Sequence, residues 1–184
     1  RCAAQQLWEA KAKLQPELQG KRQLLEQQIQ AWIVEQKNRV GSRSTITIPV
    51  VVQVVWKENV ENISDEQVVS QIDVLNQDFR AQNVEFTTIP EEFKSAAADT
   101  EIEFCLASID PDGNSTSGIV RRQTDVSCIG DKPGELKFDL YGGSDAWDTE
   151  HYLNIWVAGK CDGLLGYASF PGEDSPEEDG IVID

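Results

Sequence analysis

The sequence predicts an α+β protein in which a helical N-terminal arm precedes a mixed, twisted β-sheet with one backing α-helix. Three observations support this fold class. Residues 3–39 are rich in the good helix formers Gln, Glu, Lys, Ala and Leu. The composition then changes abruptly to "TITIPVVVQVVW" at 45–56, where β-branched apolar residues fill both faces of a strand. One amphipathic segment and several short strand-like segments complete the chain.

The arm carries apolar residues at helical spacing, at Leu25, Ile29, Trp32 and Ile33. Pro16 and Gly20 predict that it divides into two helices. It ends at "NRVGSRST", where Arg39 and Arg43 are candidate sites of proteolytic processing. On composition alone, an ordinary helical hairpin is the simpler interpretation of this segment.

A buried central strand is predicted at 45–56, and an amphipathic helix follows it. Ser64 and Gln67 form a capping-box pattern at the start of that helix. One of its faces is apolar, with Val68, Ile72, Leu75 and Phe79. This face is expected to pack on the sheet.

The remaining strands are shorter. Period-two alternation predicts a strand at 100–110, "DPDGN" at 110–114 predicts a turn, and "SGIVRRQT" predicts a short third strand. Three further strand-like segments are bounded by Gly, Pro or Asp, at 152–159, 164–170 and 180–184.

Composition limits the function. The 184 residues suffice for one domain with a short appendage, and the absence of Met suggests a processed or excised piece. The net charge of −16 would repel nucleic acid, so no nucleic-acid partner is expected. No apolar run is long enough to span a bilayer, and the acidity suits a secreted or extracellular protein.

The four cysteines, at positions 2, 105, 128 and 161, show no C-x-x-C spacing and so predict no structural zinc site. At most two disulfides can form. The clustering of three cysteines in the second half favours one bridge among Cys105, Cys128 and Cys161, with Cys2 free. Spacing alone leaves the connectivity open.

No complete active site is visible. Asp110, Asp112 and Asn114 match the first half of a calcium-binding EF-hand loop, which makes calcium an alternative occupant, but position twelve is Arg121 instead of Glu. A tight turn explains the motif better. The lone His151 cannot build a zinc site by itself. The acidic run at 172–180 is most simply a solvated loop.

Five segments occur in a characteristic order. They are "TIPVVVQVVW", "NISDEQVVSQIDVLNQDFRAQN", "IEFCLASIDPDGN", "GGSDAWDTEHYLNIWV" and "GLLGYASFPG". Together they resemble the N-terminal half of the catalytic domain of pappalysin-type zinc metalloproteases, which are secreted metzincins. The resemblance covers residues 45–184. It implies a helical propeptide at 1–42 and the N-terminal, or upper, subdomain at 43–184. The family's zinc-binding helix, H-E-x-x-H-x-x-G-x-x-H, is absent, so zinc would be held outside these residues.

The resemblance also implies roles for particular residues. "RC" at the start would place Cys2 as a latency ligand that blocks the open zinc position, although Ala3-Ala4 replaces the family's Gly-Thr. A free or disulfide-bonded Cys2 remains the alternative. Backbone groups of the edge strand would bind substrate, at Leu165, Gly166, Tyr167 and Ala168. Gln53 stands where relatives commonly have His, and it needs a hydrogen-bond partner if buried.

The resulting hypothesis is a part of a latent secreted zinc metalloendopeptidase, which would hydrolyse protein or peptide substrates with zinc-activated water. These residues would supply the propeptide and the substrate-binding edge strand, and their partner would be the other half of the catalytic domain. The alternative is a non-catalytic binding or inhibitory module with the upper half of a protease fold. The residues encoded after Asp184 distinguish the two.

Overall fold

The computed structural model describes residues 4–36, 44–170, 172 and 175–184. The arm forms two helices, α1 (Ala4–Leu14) and α2 (Glu17–Gln36). Pro16 lies between them, as predicted, because it lacks a backbone N–H for the helix interior. The predicted break at Gly20 is wrong, because Gly20 lies inside α2. A Cβ added at this position would have no neighbour within 4 Å.

Within the described ranges the sheet has six strands. They are β1 (Ile46–Trp56), β2 (Ile102–Leu106), β3 (Ile119–Gln123), β4 (Leu153–Ala158), β5 (Gly166–Ala168) and β6 (Ile181–Ile183). The main path runs β2-β1-β4-β6-β5, and β3 also pairs with β1. The β5–β6 pairing is antiparallel and the others are parallel. The mixed sheet is therefore confirmed, and β5 lies at one end of its path.

β1 is the central strand. Its first residues pair with β2, its last residues pair with β3 on the same side, and β4 pairs along its other side. Residues 50–55 are all buried, which matches the two-sided apolar sequence of this strand.

The backing helix is α3 (Asp65–Phe79). Ser64 Oγ accepts a hydrogen bond from Gln67 N, and the Gln67 side chain accepts one from Ser64 N, so the predicted capping box is present. The helix buries Val68 and Ile72 against the sheet. At its C-terminal end, Phe79 meets Phe104 of β2 edge to face, with ring centroids 4.9 Å apart.

The opposite face of the sheet is covered by the segment between β3 and β4. This segment contains a short helix, α4 (Pro133–Leu136), and two 3₁₀ turns, Ile129–Asp131 and Asp139–Tyr141. Leu136 and Trp156 are fully buried in this second core cluster. The sheet thus lies between a helix and a folded loop.

A buried polar group joins β1 to β4. Gln53 is 1% exposed, and its Nε2 donates a 3.0 Å hydrogen bond to Asn154 Oδ1. Asn154 Oδ1 also accepts from Trp147 N, and Asn154 Nδ2 donates to Trp147 O. The Nε2 group of Gln53 therefore has the partner that its burial demands, whereas no described residue donates a hydrogen bond to Gln53 Oε1.

Candidate functional site: the β5 edge and the arm that covers it

The predicted substrate-binding residues lie on β5 and immediately before it. In the described part of the chain β5 pairs with β6 alone, through Gly166–Ile183, Tyr167–Val182 and Ala168–Ile181. Leu165 is 66% exposed, whereas Tyr167 is 7% exposed and points into the core. Any ligand that adds to this edge would therefore meet backbone groups and the side chain of Leu165.

Gly166 is required by the sheet itself. A Cβ at this position would lie 2.4 Å from Val182 O, a backbone atom of β6. The cause is the tight β5–β6 pairing, which leaves no room for a side chain at this position.

On the side of β5 that faces the core, charged side chains lie close to Tyr167. Lys160, whose side chain is 1% exposed, lies with Nζ 2.7 Å from Asp131 Oδ1 and 5.2 Å from the Tyr167 ring centroid. Burial acts to raise the pKa of Asp131, but the hydrogen bonds from Lys160 and Cys161 N hold that pKa below its usual value. Burial, aided by the charges of Asp131 and Asp162, raises the pKa of Tyr167 above its usual range, so Tyr167 stays neutral.

A disulfide between Cys128 and Cys161 ties the loop before β5 to the segment that covers the second face. The Cα atoms are 5.5 Å apart, which is ordinary disulfide geometry. The sequence predicted one bridge among three cysteines without choosing the pair. Cys105, on β2, is free and exposed.

The N-terminal arm lies against the end of β5. α1 contacts β5, and Trp8 of α1 meets Phe170 edge to face at 6.4 Å between ring centroids. The guanidinium carbon of Arg22 lies 4.5 Å from both ring centroids. Arg22 Nε also lies 3.2 Å from Glu26 Oε1, which orients the guanidinium. A cation enclosed by two rings joins the arm to the strand end.

The described residues do not fit a zinc site. One group of three potential ligands converges among them, Cys128, Asp131 and Cys161, but both sulfurs are in the disulfide and Asp131 binds Lys160. His151 is exposed and bonds Asp148 through Nδ1 at 2.8 Å. Zinc would need ligands from outside this set.

The calcium-like motif is a turn. Asp110 Oδ1 accepts hydrogen bonds from Asp112 N and Asn114 N, and Asp110 Oδ2 accepts from Asn114 Nδ2. The hydrogen bond from the Asn114 backbone is the largest cause that lowers the pKa of Asp110. The carboxylate thus stabilises its own loop, as the turn interpretation predicted.

Cys2, Arg39 and Arg43 lie outside the described residues. Their proposed roles in latency and processing therefore have no geometry here. None of the helices in the described ranges is long and apolar enough to cross a membrane.

The chain matches several solved structures. Mature mirolysin of Tannerella forsythia in complex with a cleaved peptide is 48% identical, with a TM-score of 0.74, and the match covers 77% of this chain and 53% of that chain. Mirolysin in complex with a compound is 47% identical over the same shares, with a TM-score of 0.71. A promirolysin mutant of Tannerella forsythia is 41% identical, with a TM-score of 0.78, covering 99% of this chain and 58% of that chain.

The chain has the fold of promirolysin. This likeness includes the helical arm, because the match with promirolysin extends over nearly all 184 residues. The chain spans somewhat more than half the length of the solved chains that it matches. No family model and no curated protein matches it.

The contact between Trp8, Arg22 and Phe170 was missed by the sequence analysis. Each residue belongs to a different segment, and no local spacing relates an arm residue to a residue 148 positions later. The one sequence signal was the aromatic residue Trp8 in the arm, and it does not by itself select Phe170 as its partner.

Proposed function

We propose that this chain is the propeptide and the N-terminal subdomain of a latent zinc-dependent metalloendopeptidase of pappalysin type that is secreted. Residues 1–42 are the propeptide and residues 43–184 the subdomain. The observation that carries the proposal is the likeness to promirolysin and to mature mirolysin bound to a cleaved peptide, at 41–48% identity.

The two forms of mirolysin support the domain boundary. Promirolysin matches 99% of this chain and mature mirolysin 77%, and the difference is close to the share that residues 1–42 represent. Arg39 and Arg43 stand at this boundary in the sequence. Cleavage there would detach α1 and α2 from the β5 edge.

The edge strand supports the role in substrate binding. β5 ends the sheet path of the described residues, the adjoining Leu165 is exposed, and an extended peptide can add to such a strand once the arm has left it. Leu165, Gly166, Tyr167 and Ala168 would supply the backbone groups. Protein or peptide substrates would be the binding partners of this edge strand.

An apolar groove supports the need for a second half. It has a volume of about 530 Å³ and runs between α3 and the strands β4 and β6. Its walls include Val68, Ile72, Val157 and Ile181. The other half of the catalytic domain would cover this surface and carry the zinc ligands. Zinc, when bound there, would activate the water that attacks the peptide bond.

The activity of the complete protein before processing tests the proposal. In the complete protein, Cys2→Ser is expected to cleave a reporter peptide before any processing, because the open zinc position is no longer blocked by a thiolate. Cys105→Ser is the matched control, since Cys105 is exposed on β2 at the far end of the sheet from β5, and it should stay latent.

Two results would overturn the proposal. If the Cys2→Ser protein contains zinc and is as inactive as wild type until it is processed, Cys2 is not the latency ligand. If the complete protein binds no zinc and cleaves no peptide after processing, the alternative of a non-catalytic binding module replaces it.

A further inference from the structure

β2 is also an edge strand, because within the described ranges it pairs with β1 alone. Glu101 O accepts a hydrogen bond from Ile46 N. Ala107 N donates one to Val50 O, so the odd-numbered residues of this strand direct their backbone groups towards β1. The even-numbered residues direct their N–H and C=O groups outwards, and Phe104 is the central one of them.

Both outward groups of Phe104 bond to one side chain. Asn76 Oδ1 accepts a 2.7 Å hydrogen bond from Phe104 N, and Asn76 Nδ2 donates a 2.9 Å hydrogen bond to Phe104 O. A side-chain amide thus replaces the acceptor and the donor that a neighbouring strand would offer. Thr100 Oγ1 accepts from Ile102 N, the next outward group towards the start of the strand. Three outward backbone groups of β2 are therefore bonded within the chain.

The position of Asn76 on α3 brings its side chain to this strand. Val68 and Ile72 are buried against the sheet, and Asn76 follows at the same spacing of four residues, on the same helix face. Three residues later, the ring of Phe79 packs on the ring of Phe104. The helix face therefore changes from apolar to polar where it meets the backbone of the edge strand instead of the core.

We propose that Asn76 closes the β2 edge against strand addition, and that without this side chain β2 pairs with β2 of a second copy of the protein. The outward N–H and C=O groups of an edge strand can bind another strand. A strand can pair with its own copy in antiparallel orientation about a two-fold axis. Because Phe104 is the central outward residue, it would pair with its own counterpart.

The sequence of β2 favours a second copy as the occupant. With Phe104 opposite itself, Ile102 lies opposite Leu106, so the apolar side chains of the two copies meet on one face. On the other face Glu103 lies opposite Cys105, so the pairing places no like charges directly opposite each other. The strand is thus complementary to itself once its backbone groups are released.

Amide exchange in the complete protein tests the two hydrogen bonds of Asn76. Exchange of the Phe104 amide should accelerate about fivefold in Asn76→Ala, because it loses a hydrogen bond worth about 1 kcal/mol at 1.4 kcal/mol per tenfold. The amides of Glu103 and Cys105, which face β1, should accelerate less. Asn76→Asp keeps an acceptor for Phe104 N and should have a smaller effect. Equal acceleration of all three amides would contradict a local role at the edge.

The exposed thiol of Cys105 reports the pairing of two copies. In the antiparallel pair centred on Phe104, the two Cys105 side chains are diagonal neighbours on one face, and a bismaleimide that spans about 8 Å can join them. The yield of cross-linked dimer of the complete protein should rise at least about fivefold in Asn76→Ala, because wild type must first break a hydrogen bond worth about 1 kcal/mol. Asn76→Asp should give an intermediate yield.

Two controls separate the edge from other effects. Asn76→Ala combined with Cys105→Ser should give the wild-type background, because the reporting thiol is gone. Ser64→Ala weakens the other end of α3 and keeps Asn76, so it should give the wild-type yield.

The proposal is overturned if wild type and Asn76→Ala give the same yield of dimer, if the increase persists in Cys105→Ser, or if Ser64→Ala raises the yield as much as Asn76→Ala does. None of these outcomes bears on the proposed function, because the experiment involves no peptide cleavage. A failure of the proposed function would likewise leave the role of Asn76 unchanged.

Discussion

At the scale of single residues, Asn154 holds together two parts of the structure that the sequence separates. Its side chain accepts from Gln53 and Trp147 and donates to Trp147, all within a site that is 1% exposed. Gln53 contributes less, because no described residue donates to its Oε1. Removal of the Asn154 side chain therefore leaves more buried groups without a hydrogen-bond partner than removal of the Gln53 side chain does.

Asn154→Ala is expected to lower the free energy of unfolding by about 3 kcal/mol, since it leaves Gln53 Nε2 and both backbone groups of Trp147 without their partner. Gln53→Leu should cost less than about 1 kcal/mol, because it removes a single hydrogen bond together with an unsatisfied oxygen. Urea unfolding of the two variants measures the difference. Equal losses would show that Asn154 is not the centre of this group.

At the scale of elements, α3 depends on its N-terminal cap. The Ser64 hydroxyl accepts from Gln67 N. Ser64→Ala should therefore lower the free energy of unfolding by about 1 kcal/mol in urea titrations.

Ser70→Ala is the control for the cap. Ser70 lies inside the same helix and donates only to Gln67 O, so alanine, the better helix former, should leave stability unchanged or slightly raised. A larger loss from Ser70→Ala than from Ser64→Ala would contradict the assigned cap.

The Cys128–Cys161 bridge acts on the loop that leads into β5. It closes a loop with a sequence separation of 33, for which chain entropy gives a stabilisation of about 3–4 kcal/mol. The double variant Cys128→Ser with Cys161→Ser should lose about that much in urea unfolding and should exchange the amides of β5 faster than those of β1. Cys105→Ser should change stability by less than about 0.5 kcal/mol, because it is exposed and unbridged.

At the scale of the whole molecule, the sequence predicted the elements with the strongest local patterns. The two-sided apolar run of β1, the capping box at Ser64 and the turn at Asp110 all appear where their patterns place them. Strand ends were less certain: the segment predicted at 164–170 pairs only over Gly166–Ala168. Beyond Ala168, Ser169 N still donates a 3.4 Å hydrogen bond to Gly180 O, and Phe170 contacts the arm.

The sequence could not predict contacts between segments that lie far apart along the chain. Nothing local selects Cys161 as the partner of Cys128, or Phe170 as the partner of Arg22, because the two members of each pair lie far apart in the sequence. The function, in turn, depended on the resemblance of five segments, because the described residues contain no set of zinc ligands.

The measurement that tests the account most directly is the intact mass of the protein purified from its natural source, denatured without reduction, with zinc quantified on the same sample. The account predicts a mass well above 20.5 kDa, or a second polypeptide, with close to one zinc per molecule. A single species of 20.5 kDa without zinc would contradict it, and the chain would then be a binding module with a protease-like fold.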